Sequence, residues 1–219
     1  MQGCDDMKNW LEGKIISCIG DSITQGVGND NISWTHYLEE MLPVKRVNNY
    51  GIAGTKVAYR EDCEESFVER YLDIESESDI IIVFGGINDF NHGFALGTRD
   101  SRDISTYYGA LNTIADGLQN KFPYADILFI TPMKAFGFKN YPHWNTLNKD
   151  GHKLIEYRNA MMEVAQDHSI VVLDLFSESG LMPDIPSIKE KMLPDGLHPS
   201  HEGYLRLTRK IANCLLYRL

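Results

Sequence analysis

Only four cysteines occur in the 219 residues, Cys4, Cys18, Cys63 and Cys214, and no two of them form a C-x-x-C pair or a zinc-like spacing. That scatter excludes a small disulfide-stapled scaffold and a cysteine-built metal centre, and it fits free thiols in a reducing compartment. No apolar run is long enough to cross a bilayer, and the first ten residues hold Asp5 and Asp6 with no apolar stretch. A membrane span is therefore not expected, and the expected location is cytoplasmic, or secreted if a leader was removed upstream. Basic residues are outnumbered 21 to 31 by acidic ones, giving a formal charge of -10 with no dense Lys/Arg block, so nucleic acid is excluded as a partner by repulsion. Internal repeats and low-complexity segments are also missing.

What is present is ordinary globular composition, 43% hydrophobic and 24% charged. The length suits one domain over residues 1–219 with a single large core. Short apolar runs at Ile15–Ile19, Val44–Val47, Ile80–Phe84, Ile127–Ile130 and Ile170–Leu173 read as five strands. The runs near Ile80 and Ile170 are continuously apolar, as in strands covered on both faces. Helical spacing separates them, over Trp34–Met41, Phe67–Leu72, Ile104–Phe122, Leu154–His168 and Tyr204–Leu216. Within the fourth, Leu154, Tyr157, Met161, Val164 and Ala165 form one apolar stripe. Strand and helix alternate throughout, which predicts an α/β fold with a mainly parallel sheet between helices on both faces. Met133–Gly151 has no period, holds Phe136, Phe138, Tyr141, His143 and Trp144, and reads as a long loop. It either covers the sheet edge or serves the site.

Four stretches carry candidate chemistry. Gly20-Asp21-Ser22-Ile23-Thr24 follows the first strand, where parallel sheets place ligands. If a helical turn starts there, the Ser22 amide is an unpaired donor able to stabilise a developing negative charge; a simple capping turn is the competing reading. A serine hydroxyl needs a base and the base an orienting group. Asp195-Gly196-Leu197-His198-Pro199, before the last helix, offers His198 for the first and Asp195 for the second. Asp195, His198 and His201 also compete as metal ligands, although His201 is placed to begin the last helix and no further ligand is evident. The third stretch, Phe84-Gly85-Gly86-Ile87-Asn88-Asp89, supplies an asparagine amide that can donate to an oxyanion, or an ordinary turn. The fourth, Asn49-Tyr50-Gly51-Ile52-Ala53-Gly54, supplies glycine N–H groups.

Taken in order, these blocks resemble the SGNH hydrolase family, also called GDSL-type esterases and lipases. Ser22 matches the nucleophile block, Gly54 the glycine block, Asn88 the asparagine block, and Asp195 with His198 the last block, across Gly20 to Pro199. Ile23 replaces the leucine of the family name. Thr55 follows Gly54 where many members carry aspartate, which leaves Gly51 competing as the donor. The resemblance implies a three-layer, flavodoxin-like α/β/α sandwich on five parallel strands, a Ser22, His198 and Asp195 triad, and an oxyanion hole from Ser22, Gly54 and Asn88. It implies neither metal nor other cofactor. The G-x-S-x-G signature of the larger α/β-hydrolases is missing, because Thr24 stands at its second glycine.

The expected activity is hydrolysis of a carboxylic ester through an acyl-enzyme, with a short acyl group and a small-molecule or carbohydrate ester, O-acetyl sugars among them. An acyltransferase, lysophospholipase or thioesterase would use the same residues. A flavin or nucleotide binder would share the fold, but Gly20–Thr24 has too few glycines for a phosphate cradle. A non-catalytic carbohydrate binder would keep the aromatic loop without needing Ser22, Asn88 and His198 together.

Overall fold

The computed structural model describes residues 10–63 and 65–219. β1 (Ile15–Gly20) runs directly into one helical turn, α1 (Ser22–Gln25), and then α2 (Trp34–Met41). β2 (Arg46–Gly51) is followed by α3 (Phe67–Arg70), which tightens into a 3-10 turn over Tyr71–Asp73. β3 (Ile80–Phe84) leads to α4 (Ile87–His92) and the long α5 (Tyr107–Lys121). β4 (Asp126–Ile130) is joined by a long loop to α6 (Leu154–Asp167). β5 (Val171–Leu173) precedes α7 (Leu175–Glu178), α8 (Pro186–Met192) and α9 (His201–Arg218).

The five strands form one sheet in the order β2-β1-β3-β4-β5, and every neighbouring pair is parallel. This is the flavodoxin-like strand order. Successive side chains of a strand enter opposite faces, so a wholly apolar strand implies two covered faces. β3 shows it: Ile81 and Val83 pack with Leu111, Leu118, Tyr157 and Met161, from α5 and α6. Ile80, Ile82 and Phe84 pack with Trp34, Leu38, Leu207 and Ile211, from α2 and α9. The sheet therefore lies between two helical layers.

The largest departure from expectation is β2, which runs over Arg46–Gly51 and not Val44–Val47. It is an edge strand, half-exposed, and its polar side chains are used. Asn48 Nδ2 donates to Ser17 Oγ (3.2 Å) and Asn49 Nδ2 to the Thr24 carbonyl (2.7 Å). Hydrogen bonding here does what apolar burial does elsewhere, so hydrophobicity pointed to the wrong residues. α5 begins at Tyr107 instead of Ile104 because Thr106 caps it, accepting from the Gly109 N–H (3.2 Å). α9 begins at His201, capped by Ser200, three residues before the expected Tyr204. α4, α7 and α8 were not expected, being too short to show a helical period. Between Met133 and Gly151 there is neither helix nor strand, as expected.

Cys18, Cys63 and Cys214 are free thiols, and burial pushes the Cys18 and Cys214 thiols up from their ordinary pKa; Cys4 lies outside the described residues. Among the described residues no helix is long and apolar enough to cross a membrane.

Leu111, on the sheet-facing side of α5, is fully buried. Leu111→Ala should cost about 2–5 kcal/mol, read as a lower urea midpoint at unchanged slope.

Candidate active site

β1 and β3 are sheet neighbours, while β2 lies outside β1. The chain therefore leaves β1 in one direction and β3 in the other, opening a crevice at their carboxyl ends. Ser22 is the first residue of α1, directly after β1, and Asn88 is the second of α4, after β3. Gly54 follows β2, and Asp195 and His198 lie on the loop between α8 and α9. All five expected site residues thus belong to segments at this end of the sheet.

The Ser22 hydroxyl lies 2.9 Å from His198 Nε2, and His198 Nδ1 lies 2.7 Å from Asp195 Oδ2. An ionised carboxylate only accepts, so Nδ1 carries the proton and Nε2 is left to accept from the hydroxyl. The second Asp195 oxygen accepts from the backbone N–H groups of Leu197 (2.9 Å) and His198 (2.7 Å), which fixes the carboxylate to its own loop. Partial burial alone would raise the Asp195 pKa, but the bonds from the His198 ring and the two backbone amides outweigh it, and the group is held below its ordinary value. Asp195 is thus kept charged beside the imidazole. Ser22 and His198 are both buried, 6% exposed each, so their contact is sheltered from water. The Tyr204 hydroxyl donates to the Val27 carbonyl (2.8 Å) and ties the segment after α1 to α9.

Two glycines competed as donor. Gly51 has no room: a Cβ there would collide with the Gln25 backbone amide, so this glycine lets β2 close against α1. Gly54 has φ +81° with nothing within 4 Å of a hypothetical Cβ, and it lines the same cavity as Ser22, Asn88 and His198. Among the described residues no hydrogen bond engages the N–H of Ser22 or Gly54. Asn88 Nδ2 donates one proton to the Thr55 carbonyl (3.0 Å), which orients the amide and leaves its second N–H available.

Two residues that no sequence motif marks as functional hold this arrangement. Asp89, fully buried, accepts from the backbone N–H groups of Val57 and Ala58, both at 2.9 Å, and so fastens the segment after Gly54 to the helix carrying Asn88. Burial pushes its pKa up to about 6 against the opposing pull of those two bonds. Arg70 donates to the carbonyls of Tyr50 (2.6 Å) and Gly20 (2.7 Å) and to Thr55 Oγ1 (3.2 Å), clamping β1, β2 and the Gly54 segment together. Burial lowers its pKa to about 10, and Asp21, buried at the cap of α1, is among its charge partners. In the sequence Asp89 reads as a turn residue after Asn88, whereas nothing around Arg70 distinguishes it from a surface charge.

The aromatic loop divides into two parts. Trp144 donates its indole N–H to Asp184 (2.6 Å), packs on Phe176, and has Lys134 over its ring at 4.8 Å, so it anchors the loop. Phe138 and Tyr141 instead line the cavity with Ser22, Val27, Ala53, Gly54, Asn88, Lys139, Leu197 and His198, around a space of about 270 Å³. The Phe138 ring stands edge-on to the His198 ring at 4.9 Å, and the Phe136 N–H bonds the Gly196 carbonyl (2.9 Å). His201 starts α9 and its Nδ1 meets the Tyr37 hydroxyl at 2.8 Å. Among the described residues no group of three His, Cys, Asp or Glu is set to hold a metal. Larger clefts, about 500 Å³ beside Arg70 and about 310 Å³ beside Phe122, include no nucleophile and base pair.

A family model described as "GDSL-like Lipase/Acylhydrolase family" matches residues 18–206. One solved crystal structure is 38% identical, covers 94% of this chain and 97% of its own, and superposes with a TM-score of 0.89. A protein from Lactobacillus plantarum is 28% identical over 95% of this chain and 99% of its own, with a TM-score of 0.86. An acetyl xylan esterase from Geobacillus stearothermophilus shares the fold at 20% identity, covering 95% and 97% of the two chains with a TM-score of 0.65. A search of curated proteins returned no match.

Asp89 makes a pH-dependent contribution with a definite sign. Its folded pKa of about 6 lies above the ordinary 3.8, so the folded state binds its proton more tightly than the unfolded state. The associated stability is complete below about 3.8 and is lost as pH rises through about 6, a change on the order of 1–3 kcal/mol. Asp89→Asn, which cannot ionise, should therefore gain stability relative to the wild type across that window, even with a lower absolute stability. Urea unfolding at a series of pH values measures the difference, and parallel curves would contradict it.

Proposed function

Because this chain belongs to the GDSL-like lipase/acylhydrolase family and is a carboxylic ester hydrolase, we propose that it cleaves short-chain acyl esters, O-acetyl groups on carbohydrates among them, through an acyl-enzyme on Ser22. The observation that carries the reading is the unbroken line Ser22 Oγ, His198 Nε2, His198 Nδ1, Asp195 Oδ2, with links of 2.9 and 2.7 Å. A hydroxyl is a weak nucleophile until its proton has somewhere to go, and here the acceptor is in place before substrate arrives.

In the first half-reaction Ser22 Oγ attacks the ester carbonyl carbon while Nε2 takes its proton. Asp195 stabilises the imidazolium so formed. Negative charge moves onto the carbonyl oxygen, and the N–H groups of Ser22 and Gly54 and the second Nδ2 proton of Asn88 receive it. The tetrahedral centre collapses, the C–O bond to the alcohol breaks, and the imidazolium protonates the departing oxygen. Water then attacks the acyl-enzyme with His198 as base, the same donors hold the second oxyanion, and the carboxylic acid leaves as Ser22 regains its proton. This chemistry calls on no metal or other cofactor.

The short-acyl assignment is supported by the size of the cavity, about 270 Å³, at the low end for small-molecule sites, and by its wall of Val27, Ala53, Phe138 and Leu197. The fold shared with an acetyl xylan esterase is consistent with acetyl as the acyl group and a sugar as the alcohol.

A panel of p-nitrophenyl esters of increasing acyl length should show kcat/KM highest at acetyl or propionyl. Ser22→Ala should abolish both turnover and labelling by a serine-directed phosphonate; full activity in that variant removes the nucleophile assignment. Asn88→Ala should lose about 100- to 1000-fold in kcat while remaining folded. Acyl transfer to an added sugar in preference to water would turn the reading to an acyltransferase.

A further inference from the structure

An acidic protein of formal charge -10 sets positive charge beside its catalytic cavity. Lys139 is exposed on the cavity wall, next in sequence to Phe138, whose ring leans on His198. Tyr141, another wall residue, meets His92 Nε2 through its hydroxyl (3.2 Å) at the end of α4. Lys149 packs against Gly93, the next residue, and Lys56 lies two residues beyond Gly54. The His92 pKa is lowered, by burial first and then by the charges of Lys56, Arg60, Lys149 and Lys139.

Carboxylates match only some of these cations. Arg60 is matched, by Asp62 at 2.5 Å. Asp150, next to Lys149 in sequence, is turned to His152 (3.6 Å). Among the described residues no carboxylate is within salt-bridge distance of Lys56, Lys139 or Lys149. Lys139 stands on the cavity wall itself.

From this juxtaposition we infer that the enzyme selects esters whose alcohol carries a negative charge, a carboxylate or a phosphate, and that Lys139 is a specificity-determining residue. The inference rests on the esterase reading above and adds the class of alcohol to it. The alcohol side follows from the mechanism: the departing oxygen takes its proton from His198 Nε2, so the alcohol leaves past that ring, which Phe138 meets edge-on, with Lys139 Nζ 5.1 Å over the Phe138 ring. Lysine is a point charge with no fixed fork, so it accepts either anion.

The test compares esters with one acyl group and nearly one shape: 4-acetoxybenzoate, 4-acetoxyphenyl phosphate and the neutral 4-acetoxybenzamide. The readout is the ratio of kcat/KM for each anion to that for the amide. A few partly solvated charges should give the wild type a ratio of about tenfold, and Lys139→Glu should cut it by about tenfold or more. Lys139→Arg should preserve it, Lys56→Gln should lower it in part, and ~1 M salt should collapse it. A gain with only one of the two anions supports the inference and identifies the group. A ratio near one with brisk hydrolysis of 4-acetoxybenzamide overturns the inference and leaves the esterase standing. A charge preference seen only between p-nitrophenyl hydrogen succinate and p-nitrophenyl succinamate puts the anion on the acyl side and overturns it as well. No turnover of any of these esters overturns both proposals.

Discussion

The contact between the Ser22 hydroxyl and the His198 ring joins positions 176 residues apart, and its usefulness falls away if the two separate by little more than a hydrogen-bond length. No local segment can meet that constraint. It is met by a sheet whose strands all run the same way, so that each delivers its following turn to one end. Ser22 arrives with the turn after β1, Gly54 after β2 and Asn88 after β3, while His198 comes from the loop that opens α9. The apolar faces of β3, covered by helices on both sides, supply the rigidity that keeps these turns from drifting.

Beneath the reacting groups the floor is built from buried charge. Asp89 and Asp21 are both shielded from water and both pushed up to about 6, and Arg70 between the strand ends is lowered to about 10, each by burial first. An isolated ionised group in such a place is expensive, and each of these is met by backbone partners: Asp89 by two amides, Asp21 by the Ile23 amide, Arg70 by carbonyls of two strands. What the expense secures is directional. A carboxylate that accepts from Val57 and Ala58 has two fixed distances to satisfy, and an apolar residue in its place would leave the Gly54 segment free to slide.

Much of this was legible in the order of residues, for a physical reason: strands buried on both faces are continuously apolar, and groups that do chemistry need particular residue types at strand ends. The Ile80–Phe84 run and the blocks holding Ser22, Gly54, Asn88, Asp195 and His198 are of that kind. What could not be read follows from interactions across space. Arg70 looks like any charge in a short helix until its guanidinium is seen bonding the ends of two strands. The aromatic loop gives no hint that Trp144 turns away to Asp184 while Phe138 and Tyr141 face Ser22. β2 misled because its Asn48 and Asn49 are held by side-chain hydrogen bonds and not by burial.

That same strand closes one side of the sheet, and an unpaired strand flank is a template on which another chain can crystallise its own backbone. Here two of the outward amides are already occupied: Glu39 from α2 accepts from the Val47 N–H (2.6 Å), and the Asn49 side chain accepts from the Gly51 N–H (2.8 Å). The polarity that hides β2 from a hydrophobicity scan therefore also blunts it as a site for strand-by-strand aggregation.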